Sequence, residues 1–141
     1  MGTSINARFK NFLFYWLPIF IYCLLIYIQS SYPSPEEVPQ LPYIDKVLHF
    51  AAYALLSALF LRAFKTLPIK DNIRLITILA ITLSSLYGIS DEIHQYYVPY
   101  RDADIMDALA DIIGSIFGVY IYHFFWLERL RKARHAQPNS S

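Results

Sequence analysis

Three short runs of polar and charged side chains interrupt the apolar segments of this chain, and they contain residue types that transfer protons, bind cations or hold polar headgroups. A carboxylate inside a membrane span costs about 2.5–3.5 kcal/mol on insertion scales, so three such interruptions in a small chain indicate a shared polar site. The runs supply ten candidate site residues, which are Asp45, Lys46, His49, Tyr53, Glu92, Gln95, Arg101, Asp104, Asp107 and Asp111.

Acidic side chains outnumber basic ones in these runs, where six carboxylates, Asp91 included, accompany only two permanent cations, Lys46 and Arg101. Either burial and mutual repulsion keep some carboxyl groups protonated, or the site binds a cation or an amine. A phosphate clamp built from Lys46, His49 and Arg101 fits this balance less well. No nucleophile signature and no metal motif of known spacing is present, so the sequence identifies no catalytic residue, no metal ligand and no cofactor.

Four apolar stretches must position these runs, at about residues 12–30, 46–64, 73–97 and 104–127. The chain is 56% hydrophobic and 16% charged, whereas a typical soluble domain is about 25% charged. Each stretch approaches the roughly 17–25 residues that cross a bilayer as a helix. The sequence therefore predicts an all-α integral membrane four-helix bundle, in one domain over residues 1–141, that ends in a basic tail at 128–141.

The basic residues predict an orientation for this bundle. With four spans, ten of the twelve Lys and Arg residues lie on one side, which the positive-inside rule makes cytoplasmic. Both termini are therefore expected in the cytoplasm, and the polar runs fall at the extracytoplasmic ends of helices 2, 3 and 4, where they predict a polar pocket. We expect helix 1 to be retained, since no A-x-A cleavage site follows it, and the Pro-rich segment 30–43 to cover the pocket.

Helical spacing groups the polar residues on faces that point into the bundle. The residues that share a face are Lys46, His49 and Tyr53 on helix 2, Gly88, Glu92 and Gln95 on helix 3, and Asp104, Asp107, Asp111, Gly114 and Gly118 on helix 4. Gly114 and Gly118 form a GxxxG pair that allows close backbone approach, within the bundle or in a homodimer. Asp111 lies deepest and should be protonated or partnered. The opposite face of helix 4 is expected to meet lipid through Ile105, Ile112, Ile116 and Val119.

The combined pattern resembles the VanZ-like family of small bacterial membrane proteins. The matching residues are Gln29-Ser30-Ser31-Tyr32-Pro33, Asp45-Lys46-x-x-His49-Phe50-x-x-Tyr53, Glu92-Ile93-His94-Gln95-Tyr96 with Pro99 and Arg101, and Asp104-x-x-Asp107 followed by Gly114 and Gly118. Tyr100 and Asp111 depart from it, since glycine and asparagine are common there. The resemblance implies a multi-pass protein of the bacterial inner membrane, and the founding member is associated with low-level resistance to the glycopeptide teicoplanin.

Several functions remain open at this point. The first is an envelope protein whose pocket binds a membrane lipid, a cell-wall precursor or a glycopeptide. The second is a membrane enzyme in which His49, Glu92 and Asp107 transfer protons or bind a divalent metal. A proton- or cation-coupled transporter is less consistent, because the inner half of the bundle lacks matching polar residues. The network could also be purely structural, with Asp45 favouring the helix dipole and Lys46 snorkelling. No basic face for nucleic acid is present.

Overall fold

Four α-helices make up the protein in a computed structural model, which describes residues 2–32, 43–99, 101 and 103–135. The helices are α1 (Gly2–Ser30), α2 (Ile44–Phe64), α3 (Ile73–Tyr96) and α4 (Ile105–His135). Each contains a segment long and apolar enough to cross a membrane, namely Phe9–Ser30, Ile44–Phe64, Ile73–Tyr96 and Ile105–Arg129. No strand occurs in the described ranges. The prediction of an all-helical fold, with four helices long and apolar enough to cross a membrane, is therefore confirmed for the described residues.

The helices alternate in direction, as contacts between their ends show: Lys46 at the start of α2 bonds Asp104 just before α4, and Ser31 after α1 bonds His94 near the end of α3. The end of α1, the start of α2, the end of α3 and the start of α4 consequently lie at one end of the bundle, which we call the polar end. The interface between α2 and α4 is the most extensive, α3 packs against both, and α1 packs on α2 and α3. Helices α2, α3 and α4 therefore carry the three polar runs to one place.

Two glycines of α4 bring its backbone against that of α2. A Cβ atom at Gly114 would overlap the Phe50 carbonyl oxygen, and one at Gly118 would overlap the Ala54 carbonyl oxygen. The glycine face thus points into the bundle, as its spacing predicts. The same contacts place both glycines against α2 of the same chain, so they serve packing within the bundle.

The face of α4 expected to meet lipid is only partly exposed. Ile105 is 76% exposed and Ile116 is 51% exposed, whereas Val119 is 3% exposed and packs in a cluster with Leu61 and Ile76. The prediction for Val119 is therefore wrong. Because α4 packs between α2 and α3, its buried arc is wider than the glycine stripe and includes the residue next to Gly118.

Gly118→Ala is expected to destabilise the bundle, although alanine is the better helix former, because its methyl group would overlap the Ala54 carbonyl oxygen. Overpacking costs about 1–3 kcal/mol, which exceeds the gain of about 0.5–1 kcal/mol in helix propensity. Thermal unfolding in detergent, monitored by circular dichroism, measures whether the unfolding midpoint falls. Ile116→Ala on the exposed face is the control and should change the unfolding midpoint less. A Gly118→Ala midpoint at or above that of the wild type would contradict this packing.

Candidate functional site

Lys46 organises the outer part of the polar end. Its Nζ atom lies 2.7 Å from an Asp104 oxygen, 3.1 Å from an Asp107 oxygen and 3.1 Å from an Asp45 oxygen. The Asp107 side chain is only 9% exposed, whereas that of Asp104 is 40% exposed. One ammonium group therefore joins the start of α2 to the start of α4 and balances part of the charge of three carboxylates.

Asp104 has a second task, because it precedes α4 and caps it. Its Oδ1 atom accepts a hydrogen bond from the Met106 backbone N–H at 2.9 Å, which satisfies one of the free donors at a helix start. The hydrogen bond from the Lys46 ammonium, helped by this backbone bond, lowers the pKa of the Asp104 carboxyl. Asp104 is therefore ionised at neutral pH and stays paired with Lys46.

Below Lys46, three side chains from three helices meet inside the bundle. The Nδ1 atom of His49 in α2 lies 3.0 Å from Asp111 Oδ1 in α4 and 3.6 Å from Glu92 Oε1 in α3. Asp111 is completely buried and Glu92 nearly so. We call His49, Glu92 and Asp111 the buried triad. It joins the outer part of the site because Glu92 Oε2 accepts the backbone N–H of Asp104 at 3.1 Å.

Other predicted residues surround the buried triad. Gln95 donates through Nε2 to Asp91 Oδ2 at 3.2 Å and lies 3.5 Å from Glu92 Oε1. The Tyr53 ring is fully buried and stacks near His49, with a centroid distance of 6.3 Å and an interplanar angle of 15°. Gln95 therefore helps to orient Glu92, and Tyr53 supports one face of the imidazole.

Arg101 is tied to α1. It donates from Nε to the Tyr32 carbonyl at 3.0 Å and from Nη2 to the Gln29 carbonyl at 2.9 Å. Carbonyls at a helix end lack partners within the helix, so Arg101 closes the end of α1 and connects it to the start of α4. The segment expected to cover the pocket lies largely at 33–42, outside the described residues.

The sequence reasoning missed several polar groups that lie under or beside the triad. Ser115 Oγ lies 2.8 Å from the Asp111 carbonyl oxygen and 2.9 Å from Ser84 Oγ, and both serines are completely buried. Asp91 was left out of the candidate set, although it is buried and accepts from Gln95. Helical spacing could have found the two serines, because Ser84 lies on the acidic face of α3 and Ser115 on that of α4.

Among the residues that the structure describes, the buried triad is the group that could hold a metal ion. Its three residues each offer one ligand atom, and these atoms all lie within 4.8 Å of one another. The same arrangement can move a proton, since an imidazole nitrogen lies beside two carboxylates.

A separate groove of about 480 Å³ lies between α2 and α4 toward the other end of the bundle. It is lined mainly by apolar side chains such as Ala58, Phe117 and Trp126, with Arg129 at its edge, and none of the ten candidate residues lines it. Nearby, the Lys65 ammonium lies 3.9 Å from the centre of the Trp126 ring, and burial lowers the pKa of Lys65. This end is basic and aromatic, in contrast to the polar end.

The fold and the site together define a multi-pass helical membrane protein with an acid-rich cluster at one end of its bundle. Residues 5–126 match the VanZ/LLP1 family, and the chain belongs to that family. It is 30% identical over 123 residues to an uncharacterized protein of the fission yeast Schizosaccharomyces pombe, which covers 84% of this chain and 71% of the yeast protein. No solved structure matches the chain.

Lys46→Met is expected to lower the free energy of unfolding by about 1–3 kcal/mol, because it leaves the buried Asp107 oxygen without its cation. Asp107→Asn in the same chain should recover part of this loss, since it removes the stranded charge. Unfolding midpoints of the two single variants and the double variant measure the coupling. Lys70→Met, at the exposed turn before α3, is the matched control and should behave like the wild type. Additive effects of the two changes would contradict the ion pair.

Proposed function

We propose that the protein lies in the bacterial inner membrane, with its polar end on the extracytoplasmic side, and that it binds the polar headgroup of an envelope lipid there. The observation that carries the proposal is the buried triad, in which ionisable groups from three helices meet within a membrane-crossing bundle. Polar residues at such depth are expensive and usually mark a binding or transport site. Both termini are then cytoplasmic, in agreement with the basic residues at the other end.

The charge of the site favours a headgroup that carries an amine. Lys46 is already engaged by Asp104 and Asp107, so it adds little positive charge for an anionic ligand. Glu92 and Asp111 add two carboxylates below it, beside only one imidazole. An ammonium group placed at the polar end gains from this excess of acids, whereas a phosphate alone would be repelled.

The yeast relative supports a lipid over the other ligands considered. Teicoplanin acts on the precursors of peptidoglycan, a polymer of bacterial envelopes that a fission yeast lacks, whereas a relative of this chain occurs in a fission yeast. An amine-bearing lipid headgroup is a ligand that both kinds of membrane contain. Binding of a cell-wall precursor or a glycopeptide is the narrower form of the proposal, and teicoplanin susceptibility of a strain with and without the protein tests it.

Native mass spectrometry of protein purified in mild detergent tests the headgroup site. The wild type is expected to carry an amine-bearing lipid, and Asp107→Asn and Glu92→Gln should reduce its occupancy at least tenfold, because each removes a negative charge from the site. Asp71→Asn, an exposed acid at the turn before α3, is the matched control and should retain the lipid. Equal lipid content in the wild type and in folded site variants would overturn the proposal.

An enzyme that acts on a lipid-linked substrate is the second candidate. The observation that favours it is the position of His49 Nδ1, 3.0 Å from Asp111 and 3.6 Å from Glu92, as a general base held by carboxylates requires. If the protein is such an enzyme, His49→Gln should lower turnover of the co-purifying lipid at least a hundredfold while lipid binding persists. Incubation of purified protein with that lipid, followed by mass analysis of products, measures this, and an unchanged lipid excludes the enzyme.

A further inference from the structure

We propose that the buried triad binds one divalent transition-metal ion, Zn²⁺ or Mn²⁺, through His49 Nδ1, a Glu92 oxygen and an Asp111 oxygen. This inference shares the buried triad with the headgroup proposal but does not require a lipid. The ion would neutralise Glu92 and Asp111, and the three acids of the cluster above, Asp45, Asp104 and Asp107, would still outnumber the Lys46 cation there. The ion would join α2, α3 and α4 at a single point.

The distances within the triad suit a shared ion. Zinc binds imidazole nitrogen and carboxylate oxygen at about 2.0–2.2 Å, which sets neighbouring ligand atoms of a tetrahedral site about 3.3–3.6 Å apart. The observed separations from His49 Nδ1 are 3.0 Å to Asp111 Oδ1 and 3.6 Å to Glu92 Oε1. An ion can therefore replace the proton between His49 and Asp111 after only a small adjustment of side chains.

The second oxygen of Asp111 gives an independent reason to expect a cation. Asp111 Oδ2 is buried and has no hydrogen-bond partner among the residues that the structure describes. It lies toward α3 at Gly88, where a Cβ atom would come within 2.6 Å of it. Gly88 stands one turn before Glu92 on the same face of α3. A buried carboxylate oxygen without a partner is costly, and a cation held between Asp111 and Glu92 would compensate it.

The donor set and its surroundings also fit. One imidazole and two carboxylates suit Zn²⁺ and Mn²⁺, and their two negative charges match a dication. Ligands of metal sites are usually held by further hydrogen bonds. Glu92 meets this expectation, because its Oε2 atom accepts the Asp104 N–H at 3.1 Å and leaves Oε1 directed toward His49.

Metal binding to untagged wild-type protein tests the proposal. After removal of bound metal with a chelator, titration with Zn²⁺ alone should show one ion per chain, by calorimetry and by elemental analysis after desalting. Asp111→Asn and Glu92→Gln should weaken binding more than tenfold. Asp104→Asn is the matched control, because it changes the same kind of side chain immediately before α4 and keeps the backbone N–H that holds Glu92. It should bind the ion like the wild type.

Two results would overturn the proposal. The first is stripped wild type that shows no saturable Zn²⁺ or Mn²⁺ binding, and the second is equal binding by the wild type and the two ligand variants. If neither ligand variant folds, wild-type protein loaded with Co²⁺ provides the test. Ligation of Co²⁺ by the triad predicts a visible absorption band that added Zn²⁺ abolishes. Absence of the band would contradict the site. Asp107→Asn separates the two proposals, because it should lose the lipid and retain the metal.

Discussion

The burial of Asp111 is the constraint on which the rest of the structure depends. A carboxylate at this depth costs about 2.5–3.5 kcal/mol on insertion scales, and Asp111 is completely shielded from solvent. His49 offsets this cost from α2, and Ser115 binds the Asp111 carbonyl from the next turn. Lys46 and the capped Asp104 then close the site from above. The contacts of Lys46, His49 and Glu92 with residues of α4 or just before it therefore fix how α2, α3 and α4 stand relative to one another.

Close backbone approach makes these partners reachable. Gly114 and Gly118 allow α4 to touch the backbone of α2 one and two turns below the triad. Without side chains at the interface, His49 is near enough to bond Asp111 directly. Gly88 does the same for α3, since it leaves room for the Asp111 carboxylate beside it. The glycines thus serve the polar site as well as packing. This explains why acidic residues and glycines occur on the same face of α4.

The sequence predicts the helices and the convergence of the polar runs well, because span length and helical periodicity depend on local order. It predicts partners less well. Arg101 donates hydrogen bonds to backbone carbonyls at the end of α1. Every residue has a backbone carbonyl, so the sequence does not indicate which of them Arg101 binds. Val119 is buried because α4 has neighbours on two sides. Helical periodicity predicts the direction of the buried face but not how much of the helix circumference is buried. Ser84 and Ser115 were missed because a hydroxyl hardly alters the apolar character of a span.

The separation of His49 and Asp111 along the chain also determines when their contact can form during synthesis. The two residues are 62 positions apart in the chain, and ribosomes add about 5–20 residues per second, so His49 precedes its partner by about 3–12 s. During that interval α2 carries an imidazole into the membrane with no acid from α4 to receive it. This contact between α2 and α4 can therefore form only after α4 has been made, whereas Asp111 arrives when its partner is already in place.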